Sequence, residues 1–516
     1  MDFEFRRTKK SLTRLIFSRI GVIALLVVFQ AWVLVYSVLW LGENFQYASG
    51  LFVLISAFIA VYIINRNDSP AYRLAWMPIV LLFPVLGGLF YLFVRTNRIT
   101  RWVKKRVHEL ENRTKHLLPW NEDVQNKLQD ENEQLYRMGK YINNVCGLSV
   151  YDGSDVKYLA MGEEKFEELL KQLKMAEKFI FMEYFIIADG YMWSSVLSVL
   201  EEKASQGVEV RVMYDGMGSL GRVPHGYEKV LKGKGIKAKV FMPASPILST
   251  VQNNRDHRKI VVIDGKCAFN GGVNIADEYI NIESPYGKWK DTAVMVTGEA
   301  VKSYTAMFLQ MWNIDERCSE PYERYIAESQ REEKQGYVCA YGDNPLDSEW
   351  VGKNVYCHVL NNSSRYVHIM TPYFLPDDEI INALCNAAKS GVDVKIILPH
   401  IPDKKTPFFM AQSYYPLMLS SGIKIYEYKP GFIHAKTMVS DNECAVVGPV
   451  NFDYRSFYLH FECGTYFEKM PAVNDVENDF QNTLEECIEV TQEYYKNLPF
   501  VTKAYGWFLR IFSPLM

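Results

Sequence analysis

The stretch HRKIVVID, His257 to Asp264, recurs in pattern as HAKTMVSD, His434 to Asp441. Each copy reads His-x-Lys, four residues, then Asp. Each then reaches a glycine and an asparagine at the same offsets: Gly271 and Asn274 in the first, Gly448 and Asn451 in the second. A repeated fold repeats apolar residues for packing. It has no packing reason to repeat a His, a Lys, an Asp and an Asn in register. The pair therefore marks a duplicated catalytic half.

The residues after each His, IVVI and TMV, are β-prone, which puts both copies on strands. Alternate strand residues share a face, so His257 and Lys259 point the same way, as do His434 and Lys436. Asp264 and Asp441 fall at odd spacing, past the strand ends. They are expected to brace the site rather than touch the reacting atom. A neutral imidazole attacks phosphorus, and a protonated one donates to a leaving oxygen. Two His, two Lys and two Asn converging at a pseudo-twofold axis suit a phosphodiester. Lys259, Lys436, Asn274 and Asn451 would then hold its non-bridging oxygens. No metal is expected, because each His has a cation two residues away and no ligand spacing of the usual kind accompanies it.

The flanking sequence repeats in the same order. KFIFMEYFII (178–187) and GVEVRVMYD (207–215) read as strands around a helix in the first half. RYVHIMTPYFL, a helix and GVDVKIILP (391–399) repeat this in the second, and GIKAKVF matches GIKIYEY. The implied fold is α/β: two similar halves, each a mixed sheet flanked by helices, related by a pseudo-twofold axis. The expected organisation is a membrane-anchoring region over 1–95 and a charged helical connector over 96–145. The catalytic halves follow over 146–325 and 326–516. Glu183, Tyr184 and Tyr373 are candidates for lining the cleft.

A net charge of −3 argues against a general nucleic-acid binder. The 9 cysteines show no CxxC spacing, which indicates reduced core residues rather than a disulfide framework. Three apolar runs precede the catalytic halves: Ile20 to Leu41, Leu51 to Ile64 and Leu74 to Val94. The first is long enough to span a bilayer, and the third carries Pro78, Pro84, Gly87 and Gly88. Basic clusters before the first run and after the third both favour the cytoplasm, so one run is expected not to cross. The apolar, aromatic C-terminal segment AYGWFLRIFSPLM either lies on the membrane or packs on the core.

The doubled His-Lys-Asp motif resembles that of the phospholipase D superfamily, over about residues 150 to 516. The run NFDYRSFYLHFE and the paired-proline segment LAWMPIVLLFPVLGGLFYLF are similar to those of bacterial cardiolipin synthases. The resemblance implies transfer of a phosphatidyl group between two phosphatidylglycerols at a membrane, through a phosphohistidine and without a cofactor. It also implies that an acidic residue downstream of each motif orients that motif's own His: Glu462 for His434, and Asp291, in WKD, for His257. His257 is expected as nucleophile and His434 as acid and base. The chain departs from the pattern at Gly272 and Pro449, where a hydroxyl residue is common, and at His460, where an Asn is usual. A phospholipase D using water as acceptor is the alternative enzyme. A non-catalytic membrane scaffold would be expected to have lost one motif.

Overall fold

The computed structural model describes residue 32 and, from residue 45 onward, all but 67–69, 84–86, 89, 92–97, 244–252, 317–319, 327–333 and 516. The chain divides into two compact units. One comprises Met1–Arg101 with Ala244–Asn253 and Leu515; the other holds the remainder.

In the first unit, helices Phe45–Ile64 and Pro70–Leu82 pack around Ile63, Trp76, Val80 and Tyr91. Pro78 lies inside the second helix, which ends just before Pro84. No helix among the described residues is long and apolar enough to cross a membrane. The run Ile20 to Leu41 lies outside the described residues.

The second unit is built on two sheets of matching topology. The seven-stranded sheet runs, in spatial order, Ser154–Leu159, Ala293–Gly298, Cys267–Gly271, Lys259–Ile263, Phe179–Tyr184, Glu209–Asp215, Lys237–Phe241. The nine-stranded sheet contains the same series as Tyr337–Asp343, Glu462–Glu468, Cys444–Val447, Thr437–Ser440, Tyr366–Met370, Asp393–Pro399, Lys424–Tyr428. It adds Val150–Tyr151 at one edge and Cys487–Val490 at the other. In each sheet the strand following the motif His lies antiparallel between its two neighbours. The next strand outward is paired in parallel, reached through a helical crossover. The duplication seen in the motif thus extends through all seven strands of the first sheet.

The central strands read as continuous apolar runs because both faces are covered. Helix Val301–Trp312 is buried along its whole length, packed on the first sheet and on strand Tyr337–Asp343 of the second. The stretch expected as a charged connector is three helices, Arg98–Lys115, Glu122–Glu131 and Glu133–Cys146. Their apolar sides join the core through Val107, Leu110, Leu128, Met138 and Ile142. Most of their charges remain outward, which is why composition alone reads as a solvated linker. Every described cysteine is free.

Candidate active site

The motif histidines stand at the entrances to strands, not within them, which corrects the placement read from β-propensity. Regular strand begins only at Lys259 and at Thr437. The cause is a pair of connections between the halves. Gly431–Ile433 pairs in parallel with Lys288–Lys290, aligning Ile433 with Lys290, and the His434 N–H donates to the Lys290 carbonyl at 2.6 Å. Reciprocally, Asp256 bridges Phe461 in parallel, and the His257 N–H donates to the Phe461 carbonyl at 2.9 Å. Each histidine's backbone is therefore tied to the other half.

This interlock overturns the expected acid assignments. Glu462 follows Phe461, so its carboxylate meets His257: Nδ1 lies 2.8 Å from Oε1. Asp291 follows Lys290, so its carboxylate meets His434: Nδ1 lies 2.6 Å from Oδ2. Each acid serves the histidine of the opposite half, not its own. Glu462 and Asp291 are fully buried, and each histidine keeps only 7% of its surface exposed. An ionised carboxylate only accepts, so at His257 the bonded Nδ1 carries the proton and Nε2 holds the lone pair.

Electrostatics keep both rings neutral at rest. Burial, then the charges of Lys259 and Lys436, push His257 well below the ordinary imidazole range. Burial and Lys436 lower His434 to about 4, against the opposing pull of Asp291. Burial also lowers the lysines, Lys259 to about 8 and Lys436 to about 7, with nearby carboxylates resisting. Lys259 Nζ donates to the His257 carbonyl at 2.6 Å, and Lys436 Nζ donates to the His434 carbonyl. Lys436 also sits 2.7 Å from His434 Nδ1, a contact with no counterpart at His257.

The remaining predicted residues divide. Asp264 and Asp441 lie past their strands in left-handed backbone, at φ 54° and 58°. The Asp264 carboxylate accepts the N–H groups of Glu177, Lys178 and Phe179. The Asp441 carboxylate accepts those of Ser364, Arg365 and Tyr366. Burial works against the Asp441 charge, but those donors hold its carboxyl below the ordinary value. Both aspartates clamp the start of the neighbouring strand, a bracing geometry. Asn274 is spent on the protein itself, accepting from the Ile186 N–H at 3.0 Å and donating to the Tyr279 hydroxyl at 2.7 Å. That departs from the expected phosphoryl contact. Asn451 donates to Ser456 Oγ at 3.3 Å, and its Oδ1 is buried without a partner. Glu183 is buried beside Asp256 rather than lining the cleft, and burial and that neighbour raise its carboxyl well above the usual range. The Tyr184 hydroxyl accepts from Lys165 at 2.7 Å.

Sequence reasoning missed the aromatic walls. Phe185 stands 5.0 Å from the His257 ring. Trp289, Tyr279 and Phe432 stand 5.3, 5.4 and 5.8 Å from the His434 ring. Trp289 and Phe432 face each other across the parallel pair that carries the interlock, which no local signal announces. His460 lies 5.4 Å from His257, buried, with neither ring nitrogen hydrogen-bonded. Among the described residues, His257, His460 and Glu462 form the one group with donor atoms close enough to hold an ion. The Lys259 and Lys436 ammonium groups beside it oppose a cation and favour an anion.

A family model described as cardiolipin synthase, PLD-like domain matches residues 169–312 and 356–484. The chain belongs to this phospholipase D-like family. A second model, phospholipase D-nuclease N-terminal, matches residues 54–95. A cardiolipin synthase of Alkalihalophilus pseudofirmus is 35% identical over 476 residues, 91% of this chain and 93% of that protein. One from Halalkalibacterium halodurans is 32% identical over 509 residues, 97% of this chain and 100% of that protein. The crystal structure of a phosphatidylserine synthase from Haemophilus influenzae has the same fold. It gives a TM-score of 0.56 at 13% identity, over 74% of this chain and 98% of that one.

Proposed function

We propose that this protein is a membrane-associated cardiolipin synthase, transferring a phosphatidyl group from one phosphatidylglycerol to another. The observation that carries the reading is the reciprocal pair: two buried neutral histidines, each oriented by the other half's carboxylate, beside two lysines. His257 Nε2 attacks the phosphorus of the first lipid, and the bond to the glycerol oxygen breaks. Glu462 balances the positive charge that forms on the ring. When the anionic phosphodiester binds, His434 takes up a proton from solvent, and it delivers that proton to the departing glycerol. Burial alone disfavours that proton, but the phosphodiester brings a negative charge into the site and stabilises it. His434 then takes a proton from the hydroxyl of the second lipid. That oxygen attacks the phosphohistidine, giving cardiolipin and restoring both rings. Lys259 and Lys436 neutralise the non-bridging oxygens.

Membrane association is supported by the N-terminal family match and by large apolar side chains exposed on helices Phe45–Ile64 and Pro70–Leu82, among them Leu51, Val53, Phe58 and Leu82. A site held at the bilayer meets both lipids at high local concentration and excludes competing water. We read the catalytic halves as cytoplasmic, from the basic clusters that flank the apolar runs.

The test is purified protein with phosphatidylglycerol alone, no nucleotide and excess chelator. Cardiolipin and glycerol are the expected products. Dependence on CDP-diacylglycerol or on a divalent cation would overturn the mechanism, and phosphatidic acid as main product would make the protein a hydrolase.

A further inference from the structure

Helix Phe500–Arg510 is amphipathic in the wrong sense for a soluble protein. Phe500, Val501, Tyr505, Trp507, Phe508 and Ile511 are all exposed, Phe500 by 74% and Val501 by 77%. At about 100° per residue these positions fall on one continuous face. No charge interrupts it. The buried side holds only Gly506 and Leu509. The two cations of the helix stand at its edge: Lys503 donates to the Lys496 carbonyl, and Arg510 lies 4.0 Å over the Tyr414 ring.

The helix is fixed to the catalytic half by close backbone contact. A Cβ on Gly506 would meet the Phe409 carbonyl oxygen at 2.3 Å, so glycine lets it seat against helix Lys405–Gln412. That second helix begins at the mouth of the site. Lys404, the residue before it, sits 5.7 Å over the Tyr373 ring, and its charge is among those that depress His257. The Tyr373 hydroxyl donates to Asp403 at 2.6 Å, and its ring stands 6.3 Å from Phe432, beside His434. A line of packed side chains therefore joins the exposed apolar face to the reacting histidines.

We infer that helix Phe500–Arg510 docks into the interface of an anionic bilayer, bringing the mouth of the active site to the lipid surface. An uncharged apolar face containing Trp and Tyr and rimmed by lysine and arginine suits the boundary between headgroups and acyl chains. Such helices sink about 5–10 Å into it. Lys404 and Lys405, exposed at the mouth, complement anionic headgroups. The choice of an anionic lipid rests on the transferase reading above; the docking face itself does not.

The test uses the full chain in vesicles of phosphatidylglycerol and phosphatidylcholine, with a fluorescent amino acid at Val501. Brominated acyl chains should quench the probe, more as the phosphatidylglycerol fraction rises. A probe shielded from water yet not quenched would mean that another protein surface covers the helix, and would overturn the inference. A second arm compares the double variant Val501→Glu, Phe508→Glu with the parent. Turnover of vesicle phosphatidylglycerol should fall about 10-fold or more, from lost apolar insertion. Turnover of a short-chain phosphatidylglycerol dissolved as monomers should stay within about 2-fold, since no bilayer is involved. Equal turnover on vesicles, or equal loss on both substrates, refutes docking through the bilayer. Failure to form cardiolipin from any substrate would sink the transferase reading and leave the quenching result standing.

Discussion

Replacing Glu462 by Gln should impair one chemical step and spare the other. The change preserves shape but removes the charge 2.8 Å from His257 Nδ1. A hydrogen bond to a buried charge is worth about 1.5–3 kcal/mol, against about 1 for a neutral one. The phosphohistidine also loses its buried counter-charge, and an amide nitrogen turned toward Nδ1 moves the ring proton to Nε2, removing the attacking lone pair. Together these amount to about 3–5 kcal/mol, or about 10²–10⁴ in rate. The discriminating substrate is a phosphatidyl ester of p-nitrophenol, whose leaving group needs no proton. Single-turnover release of nitrophenolate should slow by about that factor in Glu462→Gln. Asp291→Asn, which disturbs His434, should slow it by less than about 10-fold while still crippling transfer from phosphatidylglycerol. Release lost in Asp291→Asn but kept in Glu462→Gln refutes His257 as the nucleophile. Equal loss in both refutes the division of labour.

Alkaline pH should switch the enzyme off early. The lysine charges that bind phosphate are lost as pH rises through about 7 for Lys436 and about 8 for Lys259, so kcat/KM should fall there and not near 10.5. Lys436→Arg should move that limb upward; a profile flat to pH 9 would contradict the lowered values. Asp441→Asn should cost about 1–3 kcal/mol of stability, seen as a Tm lowered by several degrees, with turnover at 25 °C within about 3-fold. Asparagine tolerates the left-handed backbone but cannot serve every N–H that the carboxylate accepts; lost turnover in a folded protein would make Asp441 more than a brace. Gly272→Ser should lower activity, because a Cβ there meets Asp291 Oδ1 at 2.1 Å and would push the carboxylate off His434. Unchanged kinetics in that variant would show that Asp291 is not positioned as described.

The duplicated halves were legible because their strands carry local signals. KFIFMEY and GVEVRVMYD fold where apolar runs and flanking glycines place strands, and their second-half counterparts follow. The bracing of Asp264 and Asp441 was legible from parity alone. The partners of Asp291 and Glu462 were not. Glu462 lies close after His434 in sequence, and nearness along the chain suggested a shared half. The outcome is decided by Ile433 aligning with Lys290 and by Phe461 bridging Asp256, contacts between distant segments. Asn274 misled for a related reason: its spacing marked a repeated loop, and the loop needs the amide for its own backbone. The connector helices misled through composition, since surface charge hides a narrow buried stripe.

The exchange of acids between halves also bears on how the enzyme comes into being. A chain still being synthesised holds His257, Lys259 and a finished first sheet long before Glu462 has emerged. During that interval His257 lacks the carboxylate that orients it. His434, in turn, is unoriented until the segment carrying Asp291 lies against it. An oriented pair of histidines thus exists only once the strand that begins at Glu462 has joined the second sheet.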